Sequence, residues 1–266
     1  MTPDPATGKR PDPQGGPTAD TTLMDATYSG VYGEIYRTHW WWRAREHQVL
    51  HYVAKHARWG TRRAKALDVG CGDGFIWRHL EPFADVEGIE PDRVLVSPHS
   101  PRRDRIEVAD FVQGRPRDAD HDLVLLLDVL EHIEDQGAAL RRVAALLGPD
   151  GRAVVTVPAL TALWSEFDEL SGHFRRYTRA SLRAALEGAG LRVLEVRYYY
   201  AWTVLPLFLR RLLFKADASE HSHFVKAPAR PVNQLMYGLS RLDHWLTRRL
   251  PAPAGSSLIA VVAAKP

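Results

Sequence analysis

The sequence predicts an α/β fold, a doubly wound parallel sheet with helices on both faces, and three observations predict it. Between Lys65 and Gly74 a short apolar run (Ala66, Leu67, Val69) feeds three alternate glycines, Gly70, Gly72 and Gly74, and then an apolar, helix-compatible segment from Phe75 to Leu80. That is a strand, a tight turn and a helix start. Asp85 to Ile89 reads as a second strand, and Glu90 ends it. Asp122 to Asp128 is a continuous apolar run bounded by acids, the pattern of a central parallel strand buried on both faces.

Composition sets the bounds. The chain has 266 residues, 45% of them hydrophobic, enough for one large domain with an elaboration. Lys and Arg number 35 against 32 Asp and Glu, a net charge of +3, and the basic residues are scattered, so nucleic acid is not an implied partner. One cysteine excludes an internal disulfide and fits a reducing compartment. No N-terminal apolar export segment is visible, nor the roughly 18 unbroken apolar residues of a spanning helix, so the expected address is cytoplasmic.

Met1 to Thr22 is rich in Pro, Gly, Asp and Thr and is expected to be a disordered tail, with residues 23–266 forming the domain. Order begins at Tyr28 to Tyr36. From His39 the run Trp40, Trp41, Trp42, Arg43, Arg45, Val49, Leu50, Val53 suits an amphipathic helix to about Trp59. Three adjacent tryptophans cannot share one helix face. They pack this helix on the sheet, or His39 and Trp42 line a lid over a ligand cleft.

The glycines of the first turn let the main chain approach a ligand that a Cβ would push away. A dinucleotide fingerprint, Gly-x-Gly-x-x-Gly, needs a glycine at position 75, where Phe75 stands, which speaks against a hydride carrier. Cys71 is a small loop residue with nothing nearby to lower its pKa, not a nucleophile. Glu90 follows the loop by about 20 residues, the offset of a ribose-binding carboxylate.

Pro98 and Pro101 prevent one regular helix over Pro91 to Arg105. A short third strand, Ile106 to Val108, leads to Asp110 and Phe111. The fourth strand ends in Asp128, Val129, Leu130, Glu131 and His132, beyond a strand's carboxyl end, where open α/β sheets hold ligands. Gln136 to Leu147 is an amphipathic helix stopped by Gly148, Pro149, Asp150 and Gly151, and Arg152 to Val157 is the fifth strand. Ala159 to Tyr177 is a long loop at a carboxyl end, a usual home of function. Thr178 caps a helix from Arg179 to Glu187, Leu191 to Tyr199 is the sixth strand and Ser257 to Ala263 the last.

The run Asp68-Val-Gly-Cys-Gly-Asp-Gly74 resembles motif I of class I S-adenosylmethionine-dependent methyltransferases, and Asp128 to His132 resembles their motif IV and a following Leu-Glu-His. The resemblance covers about Tyr28 to Pro266. It implies a seven-stranded sheet with the last strand antiparallel between the fifth and sixth. It also implies S-adenosylmethionine bound among Asp68, Gly70, Cys71, Gly72, Gly74, Glu90, Asp110, Phe111, Asp128, Val129 and His132. The proline-broken segment after Glu90 departs from the family, where a full helix stands.

Within the long loop, Trp164, Asp168, Glu169, His173, Arg175, Arg176 and Tyr177 resemble a Trp-x-x-x-Asp-Glu-x-x-x-His-x-Arg-Arg-Tyr segment of a bacterial subgroup. Methyl transfer is an in-line displacement, so a base is needed only where the nucleophile loses a proton. His173 is the candidate for that task or for substrate positioning. Arg175 and Arg176 could hold a substrate carboxylate or phosphate, or fix the loop through Asp168 or Glu169. His132 could act as a base, close over the cofactor or cap the next helix. The acids Glu131, Glu134 and Asp135 beside it suit a helix start, and no metal is expected.

The hairpin expected between the last two strands is interrupted by about 55 residues, beyond ordinary loop length. Val204 to Phe214 and Val232 to Leu250 carry apolar helical stripes, so 201–250 is expected to form a helical cap, a membrane-surface face with arginines meeting head groups, or packing on the domain. The expected function is methyl transfer to an oxygen of a small molecule. The alternatives are a lipid-linked or glycan acceptor at a membrane surface, a cofactor-binding regulatory protein without turnover, and a nicotinamide oxidoreductase.

Overall fold

The computed structural model describes residues 33–58, 60–114, 120–213 and 227–265. The expected disordered tail, the start of order near Tyr28, and Trp59 and Phe214 as helix ends lie outside them. Helix α1 is Trp40–His56, preceded by a helical turn over 33–38. Then follow β1 (Ala64–Val69), β2 (Ala84–Glu90), β3 (Ile106–Val108), β4 (His121–Leu127), α2 (Gln136–Leu146), β5 (Leu147–Pro158), α3 (Glu166–Leu170), α4 (Arg179–Gly188), β6 (Leu191–Tyr199), α5 (Ala201–Leu213), α6 (Arg230–Arg249) and β7 (Ser257–Ala264).

The seven strands form one sheet in the order β3-β2-β1-β4-β5-β7-β6. All pairs up to β5 are parallel, and β7 runs antiparallel between β5 and β6. The order reverses between β1 and β4, and a crevice opens at such a point beyond the strand ends. Successive residues of β4 feed opposite faces: Val124 and Leu126 meet α2 and α4, whereas Leu123 and Leu125 meet α1 and Trp77. Burial on both faces is why this strand reads as unbroken apolar sequence.

Three elements differ from expectation. Phe75–His79, expected as a helix start over Phe75 to Leu80, is a 3-10 turn. Only 14 residues separate β1 from β2, and the glycine loop uses five of them. Trp77, fully buried, then takes the place a helix face would fill. Strand β5 begins at Leu147, not Arg152, because His121 pairs with Leu147 before a bulge shifts the register to Leu123 with Arg152. Residues 159–177 are not structureless: they contain a 3-10 turn and α3, closed by a capping box between Ser165 and Asp168. Two 3-10 turns, Arg93–Leu95 and Arg103–Arg105, occupy the proline-broken segment.

Candidate functional site

The glycine loop lies at the carboxyl end of β1. Gly70, Gly72 and Gly74 have φ of 67°, 50° and 65°, a region costly to residues with a Cβ. At Gly70 a Cβ would also lie 2.4 Å from Val129 Cγ2, so the loop rests directly on the end of β4. Gly70 N donates to Ile89 O at 2.8 Å. Gly72 N and Asp92 N donate to the two oxygens of Glu90 at 2.8 and 3.0 Å. Burial raises the Glu90 pKa, and these main-chain bonds partly offset it.

Asp68 lies beneath the loop and accepts from Trp77 Nε1 at 2.8 Å. Burial pushes its carboxyl up to about 7, against the opposing bond from Trp77 and the charge of Arg45. Burial also pushes the Cys71 thiol far up, as suits a residue that is not a nucleophile. Asp73 accepts from Ser97 N at 2.7 Å and ties the loop to the segment after β2. A pocket of about 330 Å³ borders Asp73 and Phe75. Two of its three arginines, Arg78 and Arg102, are already engaged by Glu46 and Glu81, and it does not reach the end of β4. Asp110 is exposed and accepts from Gln113 N at 2.7 Å. Phe111 is buried in the core beneath the Arg142 guanidinium.

At the end of β4, Asp128 adopts a left-handed φ of 57°. Its carboxylate pairs with Arg45 of α1 and accepts from Thr156 Oγ1 at 3.0 Å. The Arg45 guanidinium lies 4.6 Å from the Trp42 ring centroid and 5.4 Å from that of Trp41. Trp42 also packs on Tyr36. His39, an expected cleft residue, is buried and caps α1, its Nδ1 accepting from Trp41 N at 3.2 Å; burial lowers its pKa to about 4. Arg45 and Thr156 went unnoticed as site residues in the sequence. The signal available was the spacing of Arg45 three and four residues after Trp42 and Trp41, which puts them on one helix face.

A second cluster joins the end of β4 to the 159–177 loop. His173 Nδ1 lies 2.8 Å from Asp168 Oδ1, and Arg176 Nε donates to the same oxygen at 2.8 Å. Ser165 N donates to Asp168 Oδ2 at 2.9 Å. Burial alone would raise the Asp168 pKa, but the bonds from His173 and Arg176 outweigh it and hold the carboxyl below its usual range. His132 stacks edge-on against His173 with centroids 4.6 Å apart. Burial and the neighbouring His173 lower its pKa to about 4. Glu131 is buried, and burial and Asp128 push its pKa well above the usual range; among the described residues its Oε2 has no hydrogen-bond partner.

Glu131, His132 and His173 each offer a ligand atom, all within 4.8 Å of one another, so this set could hold a divalent cation. The neighbouring acids Glu134 and Asp135 are not part of this set. Asp135 caps α2 through Ala138 N, and Glu134 offers its carbonyl to Arg175 at 2.8 Å. Arg176 is engaged by Asp168 and by the Ala159 carbonyl, the loop-fixing arrangement. Tyr177 is buried, its hydroxyl donating to Gln136 Oε1 at 2.8 Å. Trp164 Nε1 donates to Glu169 at 3.2 Å. His173 is brought next to His132 at the end of β4, and the adjacent Phe174 N donates to Glu131 O at 2.8 Å.

Comparison with known proteins adds the following. The family described as Methyltransferase domain matches residues 41–196. Ubiquinone biosynthesis O-methyltransferase of Rhodopseudomonas palustris is 34% identical over 115 residues, 39% of this chain and 42% of that protein. The same-named protein of Bradyrhizobium diazoefficiens is 32% identical over 112 residues, with the same coverage. The chain thus spans about two fifths of the length of these relatives. Among solved structures, a TehB-like SAM-dependent methyltransferase from Corynebacterium glutamicum aligns with a TM-score of 0.52 at 19% identity, over 91% of this chain and 100% of that one. Phosphoethanolamine N-methyltransferase 2 of Haemonchus contortus aligns with a TM-score of 0.61 at 15% identity, over 93% and 59%. At these identities the structural likeness establishes the fold.

Proposed function

Because the chain belongs to the class I S-adenosylmethionine-dependent methyltransferases, we propose that it moves a methyl group to an oxygen of a small-molecule acceptor, with His173 taking the acceptor's proton. The cofactor fits the residues present. The glycine cradle leaves main chain bare where a Cβ would collide with Val129. Glu90 keeps lone pairs for ribose hydroxyls beyond its two main-chain bonds, and Val129 and Asp128 flank the loop. When bound, S-adenosylmethionine supplies an electrophilic methyl on a sulfonium.

The observation that carries the acceptor side is the 2.8 Å contact of His173 Nδ1 with the buried Asp168 carboxylate. An ionised carboxylate accepts only, so the hydrogen sits on Nδ1 and Nε2 is left as the basic atom. Arg176 and Ser165 fix Asp168, and Asp168 in turn fixes the ring. His132, kept neutral by burial, adds no competing charge. An acceptor hydroxyl gives its proton to His173 as its oxygen becomes nucleophilic.

The relatives named above are O-methyltransferases by name, which favours oxygen as the acceptor atom. A lipid-linked acceptor is a second reading, favoured by the bond from Arg211 of α5 to the Ala162 carbonyl, which joins the apolar insertion to the loop carrying His173. The test is transfer of labelled methyl to a cell extract, with calorimetric titration of S-adenosylmethionine, its demethylated product and NAD. His173→Ala is expected to lower transfer by roughly 10²–10⁴-fold with unchanged cofactor affinity. Equal transfer by the variant removes the base role, and binding without transfer by the parent protein favours a regulatory one.

A further inference from the structure

Helix α6 is folded with its polar side inward. Asn233, Ser240, Asp243, His244 and Thr247 are buried, while Val232, Leu235, Leu239, Leu242, Leu246 and Leu250 stand on the outer face. Leu242 is 53% exposed and its neighbour Asp243 is 6% exposed. The spacing of three and four keeps the outer six on one stripe.

The inward rotation is fixed by specific bonds. Asn233 accepts from Trp40 N at 2.8 Å and donates to Thr38 O at 2.7 Å. Asp243 accepts from Tyr200 N at 2.8 Å and Ala201 N at 2.9 Å. Arg248 donates to Gln48 at 2.8 Å, and the His244 ring is packed against Tyr199 and Tyr200. Turning the apolar stripe inward would break every one of these bonds. Helix α5 shows the same outward stripe: Leu205, Phe208, Leu209 and Leu212 are exposed.

The charges of these two helices choose the occupant of this face. The two helices carry six arginines, and their one carboxylate is the inward Asp243. Arg211, Arg230, Arg241 and Arg249 are exposed. A second copy of the chain seated here about a two-fold axis would set arginine against arginine. Trp245 is half-exposed with the Arg249 guanidinium 4.2 Å from its ring, an aromatic and cationic pair suited to the boundary between acyl chains and head groups. No helix among the described residues is long and apolar enough to cross a membrane, so contact would be along the surface.

We propose that α5 and α6 form a docking face for an anionic lipid bilayer, leucines and Trp245 at the acyl boundary and arginines among the phosphates. The test is co-sedimentation of the full chain with vesicles of phosphatidylcholine, with and without phosphatidylglycerol, at low and high salt. The parent protein is expected to pellet with the anionic vesicles and to be released by salt. Leu239→Ser with Leu242→Ser should weaken binding about tenfold or more. Arg230→Glu with Arg249→Glu should weaken it by about fivefold per arginine and remove the preference for anionic lipid. Phe83→Ser, an exposed aromatic elsewhere, should change nothing. All these positions are exposed, and unchanged melting curves confirm folding. Equal recovery with neutral and anionic vesicles overturns the proposal. So does a dimer in sedimentation velocity that the Leu239→Ser, Leu242→Ser variant dissociates.

Discussion

The two sides of the proposed site are built from different materials. On the proposed cofactor side the main chain does the work: three positive-φ glycines, amides donating to Glu90, and a carbonyl of Ile89 holding the turn. On the proposed acceptor side the work falls to side chains, Asp168 with His173 and Arg176 inside one loop, and Arg45 with Asp128 across 83 residues of sequence. A backbone-built site depends on what is absent, a Cβ, and fails by collision. A site built from buried charges depends on each partner being present, and fails by leaving one unpaired.

The largest expected effect is on the acceptor side. Asp168→Ala strands Arg176 and His173 around a lost buried carboxylate, with an expected destabilisation of about 3–5 kcal/mol, read by denaturant unfolding. Asp168→Asn keeps the volume but can present an N–H to His173. It should leave most of the stability and lower methyl transfer by about 10²-fold or more, with cofactor affinity unchanged. Loss of cofactor affinity in Asp168→Asn would break the contrast between the two sides.

Gly70→Ala tests the cofactor side. The methyl group meets Val129 Cγ2 at 2.4 Å and the residue must hold φ at 67°. Strain of about 1–3 kcal/mol is expected from the backbone alone, together with weaker cofactor binding in calorimetry. Adding Val129→Ala should recover the part due to collision and leave the part due to φ. Full recovery would mean that the backbone angle carries no cost.

What the sequence revealed divides along the same line. Strands β3 and β6 lie at Ile106–Val108 and Leu191–Tyr199, and the glycine turn lies where its spacing indicates, because local pattern and backbone conformation determine them. The pairing of Arg45 with Asp128 joins residues on separate elements, and no local rule reveals it. The segment after the glycines reads as a helix start but folds as a 3-10 turn, because periodicity does not measure the short distance to β2. The rotation of α6 was legible only as an apolar stripe; which way it faces was decided by Asn233 and Asp243, whose partners lie on other elements.

Acidity gives a further contrast. Asp68 has its pKa raised to about 7 from the ordinary 3.8, so the folded state binds more protons than the unfolded one between those values. Its contribution to stability is complete below about 4 and is lost as pH rises through about 7. Asp68→Asn can still accept from Trp77, and should remove a loss on the order of 4 kcal/mol across that window. Chemical unfolding from pH 4 to 8 reads it. A slope unchanged from the parent would assign the pH dependence to other groups.

The smallest effect concerns His39, at the start of α1 and with the opposite sign. Its pKa is lowered from 6.5 to about 4, so its contribution is present above 6.5 and lost as pH falls through about 4. In the window from 4 to 6.5 it therefore opposes Asp68. His39→Asn replaces one acceptor for Trp41 N with another that is common at helix N-caps, at a cost of a few tenths of a kcal/mol or none. The replacement cannot take up a proton. Its unfolding free energy should match the parent at pH 7 and exceed it at pH 4.5 by about 1–2 kcal/mol. A gain equal at both pH values would trace the effect to packing under Trp41 and not to the charge.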